Sequence, residues 1–206
     1  MIDKILHFVW VGDAGNMPRD SLRSWVKLNC NYTVLLWDQS DYENTNWVNK
    51  KHMEAMYPIE KCGVADLMRY EILYRHGGIA LDIDSICMRP LDDWLLEPDE
   101  IFCWENEKIR PGLIATAIMG ARKKSKFFKS LIDTLHKKDS VICDRAWITT
   151  GPTQVTNIYN TTKNSITVYP SHYFIPNHFS GDKYTGNGPV YCEQEWGSTV
   201  GRTQLT

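Results

Sequence analysis

One segment, residues 63–84, constrains this chain more than any other. An apolar helical run closes on Gly77-Gly78, leads directly into Ile79-Ala80-Leu81, and ends in Asp82-Ile83-Asp84. Glycine just past a helix takes the left-handed turn that other residues resist. The three apolar residues that follow show no polar alternation, which is the pattern of a strand covered on both faces. Such a strand needs helices on both sides of its sheet. It also delivers its two aspartates to the carboxyl edge, where open α/β sheets place their ligand crevice.

The flanking residues fit the same architecture. Residues 5–11 (ILHFVWV) and 33–37 (TVLLW) read as buried strands, and residues 20–29 place Leu22, Trp25, Val26 and Leu28 at helical spacing. Residues 38–50 are polar and form a loop or an unresolved helix. Further on, residues 101–104 and 113–119 are strand candidates, and residues 125–137 form an amphipathic helix with Phe127, Phe128, Leu131, Ile132 and Leu135 inward. The lysines at 123, 124, 126 and 129 make its solvated face. Thr150-Gly151-Pro152 is a helix start, and from Ser180 onward the chain turns Gly- and Asn-rich, a loop-rich tail that folds over something. With 206 residues, no repeats and no linker, the expectation is one α/β domain: a single Rossmann-like mixed sheet flanked by helices.

Composition narrows the function classes. A net charge of −2 argues against a global grip on nucleic acid or on an anionic membrane. No apolar run approaches the length of a membrane span, and Met1-Ile2-Asp3-Lys4 lacks the basic region of a signal peptide. The expectation is a soluble, cytoplasmic protein. Its six cysteines contain no CxxC pair and are expected to be reduced, buried thiols. Aromatic residues reach 12%, which suits either a large aromatic core or stacking on bases and sugar rings.

The chemistry centres on carboxylates. The chain has neither a GxxxxGK[ST] phosphate loop nor a GxGxxG turn after its first strand. A nucleotide would therefore be neutralised through a metal held by acidic side chains. Asp82 and Asp84 at a strand end make an oxygen-rich site suited to Mn²⁺ or Mg²⁺. Asp66 and Arg69 stand three apart on the preceding helix, share a face and can pair. Three other readings compete. They assign the aspartates to a solvated turn, to the nucleophile loop of a Mg-dependent haloacid-dehalogenase-type phosphohydrolase, or to a non-catalytic sugar-binding module. His7, within the first strand, reads as a satisfied core histidine.

Three blocks in order carry a resemblance: His7-Phe8-Val9-Trp10, residues 65–74 (ADLMRYEILY) and residues 77–84 (GGIALDID). Together they resemble the glycosyltransferases containing the DXD sugar-binding region, which have relatives among the large clostridial glucosylating toxins. The likeness covers the first 90 residues well and continues weakly through Thr150-Gly151-Pro152 and Tyr173-Phe174-Ile175-Pro176. It implies a GT-A fold, a nucleotide-sugar donor (UDP-sugar favoured, GDP-sugar possible), Mn²⁺ or Mg²⁺, a glycan or other hydroxyl acceptor, and retention of configuration. By the same resemblance Phe8, Val9 and Trp10 hold the nucleotide base. Asp66 and Arg69 contact donor sugar and phosphates, Asp82 reaches ribose and sugar, and Asp84 binds metal directly. Asp82, Asp84 and Arg69 are thus the catalytic set. Ala80 stands where the family commonly has tyrosine, and the tail lacks the family's histidine. Glu195 and Ser198, three apart, resemble the metal-ligand pattern of the toxin relatives, as part of a tail that closes over the diphosphate.

Overall fold

The computed structural model describes residues 1–162 and 166–197. In chain order its first half runs β1 (Ile5–Val9), α1 (Arg19–Leu28), β2 (Thr33–Trp37), α2 (Gln39–Asn44), α3 (Lys50–Met56), α4 (Lys61–His76), β3 (Gly78–Leu81) and β4 (Ser85–Cys87). The second half adds β5 (Glu100–Asn106), β6 (Arg110–Ala121), α5 (Lys126–His136), α6 (Ala146–Thr149), α7 (Pro152–Thr162), β7 (Ile166–Tyr169) and β8 (Cys192–Gln194). Six strands form a mixed sheet in the order β2-β1-β3-β6-β5-β7, and β4 pairs with β8 in a second, two-stranded sheet. The fold is a mixed α/β sheet flanked by helices, as the sequence implies, with this small sheet as an addition to the single one expected.

Side-chain alternation explains the two cores. In β1, Leu6 and Phe8 join Trp25 of α1 on one face, while Val9 joins α4 on the other. In β3, Ile79 and Leu81 go with the first group and Ala80 with the second. Helix α4 is buried almost all round from Gly63 to Leu73, which is why its sequence shows little polar face. Its end is fixed by geometry. Gly77 has φ 70 and Gly78 φ 88, and a Cβ on Gly78 would stand 2.7 Å from the Ile5 carbonyl oxygen.

Two expectations are corrected and one open alternative is resolved. The apolar run of β2 is not buried: it is the edge strand, and Leu35 and Leu36 are each 38% exposed. A strand with a neighbour on one side only keeps an apolar sequence without being covered. In the polar stretch after it, left open between loop and helix, residues Gln39–Asn44 are helical. Asp38 accepts from Ser40 N at 2.8 Å, Asp41 returns the bond to Asp38 N at 2.9 Å, and this capping box starts α2. The cysteines are all free, but only Cys87, Cys103 and Cys192 are buried, while Cys30, Cys62 and Cys143 are exposed. β7 was also not anticipated from sequence; it adds to β5 in parallel at the far edge.

His7 is a core histidine with both nitrogens used. Nε2 lies 2.8 Å from the Gly77 carbonyl oxygen, and Trp37 Nε1–H donates to Nδ1 at 3.1 Å. That fixes the neutral Nε2–H tautomer, since a proton on Nδ1 would face the Trp37 donor. Burial pushes its pKa down to about 4, with the Gly77 carbonyl opposing and His76 adding to the fall. The unfolded chain takes up this proton near pH 6.5 and the native state does not. Stability therefore falls as pH drops from 6.5 toward 4. The contribution lost between pH 7 and pH 5 is about 2 kcal/mol. Urea unfolding of the wild type and His7→Gln at both pH values checks this: the difference between the two should shrink by that amount at pH 5. Parallel pH profiles would reject it.

Candidate active site

The site forms where the N-terminal half of α4 meets the carboxyl end of β3. Asp66 and Arg69, one helical turn apart, are each 5% exposed and point toward the sheet. Arg69 Nη2 donates to Asp66 Oδ1 at 2.5 Å, and Nη1 donates to the Thr116 carbonyl oxygen at 3.0 Å and to Asp82 Oδ1. One guanidinium thus joins the helix carboxylate to the first aspartate of the DXD. Burial opposes its charge, but Asp82 and Asp66 outweigh that penalty and hold it protonated. Burial also pushes Asp66 up to about 6 against the pull of Arg69. Among the described residues Arg69 Nε has no hydrogen-bond partner.

Thr150 and Gly151 complete the wall. Thr150 Oγ1 lies 3.5 Å from Asp66 Oδ2, and a Cβ on Gly151 would come within 2.9 Å of that same oxygen. The Thr-Gly-Pro element therefore does more than start α7. It lets the α6–α7 turn close on a buried carboxylate.

The chain turns sharply after β3. Asp82 N donates to the Ala117 carbonyl oxygen at 3.0 Å, and Ser85 N returns to the Asp82 carbonyl oxygen at 3.1 Å. The Asp82 side chain is 34% exposed. Asp84 accepts from Gly197 N at 2.9 Å through Oδ2, and its carbonyl oxygen accepts from Glu195 N at 3.3 Å. Burial, then the Asp82 charge, push Asp84 up to about 6; the Gly197 N–H opposes this, and Glu195 adds to it. Three carboxylates therefore feel one another here. This hard-oxygen, mutually repelling set fits a divalent cation. No three of the His, Cys, Asp or Glu side chains cluster to cage an ion among the described residues.

The site opens into a cleft of about 1140 Å³. Because β3 stands between β1 and β6, the DXD divides the cleft into a β1 side and a β6 side. On the β1 side lie Val9 and Trp10, together with Tyr57 and Lys61. Trp10 is held by its own backbone N–H on the Trp37 carbonyl and by Nε1 on the Asp13 carbonyl, both at 2.9 Å. Phe8 does not reach the cleft: it is fully buried in the core that Trp10 also borders, its ring 6.2 Å from Trp25. On the β6 side lie Arg110, Trp147 and Phe179, which sequence patterns alone did not single out. Glu195 is exposed beside Asp84, and Ser198 lies outside the described residues. The tail up to Gly197 is neither frayed nor loose. β8 pairs with β4, and Trp196 Nε1 donates to the Asn177 carbonyl oxygen at 2.9 Å. Among the described residues no helix is long and apolar enough to cross a membrane.

Comparison with known proteins bears on this arrangement. Residues 16–101 match the family described as the glycosyltransferase sugar-binding region containing the DXD motif. The chain is 32% identical over 142 residues to inositol phosphoceramide mannosyltransferase 3 of Schizosaccharomyces pombe, a match covering 65% of this chain and 37% of that protein. It thus spans little more than a third of that curated relative. Among solved structures, the PaToxG glycosyltransferase superposes with a TM-score of 0.62 at 15% identity, covering 79% of this chain and 70% of its own. The UDP-bound glycosyltransferase domain of the YGT toxin superposes with a TM-score of 0.60 at 10% identity, over 82% and 79% of the two chains. At such identities the likeness is one of fold. Carboxylates at a strand-end DXD, the matched region around them and the shared fold agree: residues 16–101 are similar to the glycosyltransferase sugar-binding region that contains the DXD motif.

Proposed function

We propose that this chain transfers a hexosyl group from a nucleotide sugar to a hydroxyl acceptor, with a divalent cation at the DXD and with retention of configuration. The observation that carries the reading is the continuous Asp66–Arg69–Asp82 link lying beside Asp84 on the floor of a cleft that Trp10 enters from the β1 side. The nucleotide base lies against Trp10, and the diphosphate lies over the DXD. The sugar is mannosyl, following the mannosyltransferase relative; the UDP carried by the toxin neighbour supports uridine as the base, and guanosine is the alternative.

Asp82 and Asp84 would hold the cation, with Glu195 beside Asp84 and, by the sequence resemblance, Ser198 as the further candidates. Mn²⁺ or Mg²⁺ supplies charge stabilisation to the departing diphosphate. The chain's own residues position the rest. Arg69 cannot move away from its two carboxylates, so its role is to hold Asp66 and Asp82 fixed while the sugar seats against them. The anomeric carbon passes through an oxocarbenium-like state. The acceptor oxygen bonds to that carbon as its bond to the diphosphate breaks, and the hydroxyl proton goes to the leaving phosphate oxygen on the same face.

The test is a panel of UDP-mannose, GDP-mannose, UDP-glucose, UDP-galactose and UDP-N-acetylglucosamine with Mn²⁺, read as nucleoside diphosphate released and as thermal stabilisation. One donor should be consumed, and Trp10→Ala should weaken its nucleotide by about 1–3 kcal/mol. No turnover of any donor, or a folded Trp10→Ala variant with unchanged nucleotide affinity, rejects the reading.

A further inference from the structure

On the β6 side of the cleft lies a cluster that donor binding does not use. β6 runs past the end of β3 and reaches back to Arg110, which faces Asn106 across the β5–β6 hairpin. Arg110 Nη1 is 3.2 Å from Oε1 of the buried Glu105, whose same oxygen lies 3.3 Å from His178 Nε2. The guanidinium carbon stands 4.9 Å from the centroid of the Trp147 ring and 5.5 Å from that of Phe179. Both rings line the cleft, yet they are 42% and 41% exposed.

These parts converge from distant segments and are tied together. Asn106 Nδ2 donates to Asp182 Oδ2 at 2.9 Å, which fastens the loop bearing Phe179 to the hairpin tip. The Phe179 ring is 5.1 Å from that of Trp196, the residue before the Gly197 whose N–H holds Asp84. The cluster is therefore continuous with the DXD. Its chemistry is specific. Arg110 offers several N–H donors in one plane, but Glu105 balances its charge, so the surface presents directed donors without a net cation. Exposed aromatic faces on either side suit the C–H face of a ring that is polar only around its rim.

We propose that Arg110, Trp147 and Phe179 form the acceptor subsite, and that they take one ring of a neutral cyclic polyol, its apolar face on Trp147 and its hydroxyls on Arg110. This rests on the donor reading above, which assigns the β1 side to the nucleotide and leaves the β6 side to the acceptor. The sheet order makes the division physical: β3, with the reacting centre at its end, separates the two.

Fluorine NMR of 5-fluorotryptophan protein separates the two assignments, with the Trp147 and Trp10 signals identified from Trp147→Phe and Trp10→Phe. Methyl α-D-mannopyranoside, methyl α-D-glucopyranoside and myo-inositol are titrated against inorganic phosphate as the anionic control, and UDP and GDP with Mn²⁺ as the donor control. The Trp147 signal should move saturably with at least one polyol and stay still with phosphate, while a nucleotide moves the Trp10 signal. Phe179→Ala, a change at an exposed loop ring, should weaken the polyol by about tenfold. A Trp147 signal that ignores every polyol, that answers to phosphate instead, or that responds unchanged in Phe179→Ala overturns the subsite. A Trp10 signal that ignores both nucleotides overturns the donor reading instead, so the two failures are distinct.

Discussion

Asp84→Asn should lower donor turnover by about 10³-fold, the loss that follows when several kcal/mol of charge stabilisation leaves a transition state. The same variant should melt no lower than the wild type. Asparagine keeps an oxygen for the Gly197 N–H, and it removes a charge that burial and the neighbouring Asp82 already disfavour. Activity and stability therefore move independently, which separates a ligand role from a structural one. Chelation with EDTA should produce the same loss in the wild type, and added Mn²⁺ or Mg²⁺ should restore it. Full turnover in excess chelator would remove the cation from the account, and a variant that is both active and metal-responsive would remove Asp84 from its ligands.

Arg69→Met should cost about 3–5 kcal/mol of stability, because it strands two carboxylates that share one buried cation. The pH dependence has a defined sign. Asp66 already sits near 6 with Arg69 in place, and without the guanidinium it rises further. A carboxyl whose folded pKa is above its unfolded value binds more protons in the native state, so stability falls as pH rises through that window. The deficit of Arg69→Met relative to wild type should therefore shrink between pH 7 and pH 5. Asp66→Asn added to Arg69→Met should recover part of it at pH 7. Denaturant unfolding of the three variants measures both effects. A deficit below about 1 kcal/mol, or one indifferent to pH, would mean that the Asp66–Arg69–Asp82 link is not the buried charge system described here.

The region that answers to these predictions was legible because its signals are local. Gly77-Gly78 ends a helix and begins a strand within two residues, and the DXD follows the last apolar residue of that strand. Asp66 and Arg69 share a face because they are one turn apart. Where local signals mislead, the cause is position in the sheet. The run TVLLW has the pattern of a covered strand, and only the strand order reveals it as an edge. Phe8 shares a sequence block with Val9 and Trp10, but its ring is fully buried beside Trp25, deep in the core that Trp10 only borders.

The sequence by itself determined the succession β1, α1, β2, α4 and β3, the placement of two aspartates at a strand end, and the facing pair on α4. Each of these depends on residues a few positions apart, whose relation is set by helix and strand geometry. The tertiary structure alone decided that Arg69 is shared between Asp66 and Asp82, that the Thr116 carbonyl and Gly151 close around them, and that Glu105, Arg110, Trp147 and Phe179 meet across the DXD from Trp10. Most of those contacts join separate segments of the chain, Arg69 and Thr116 being 47 positions apart. The crossovers that interleave β1, β3, β6 and β5 bring them together, and the spacing of side chains along any one segment carries no record of that order.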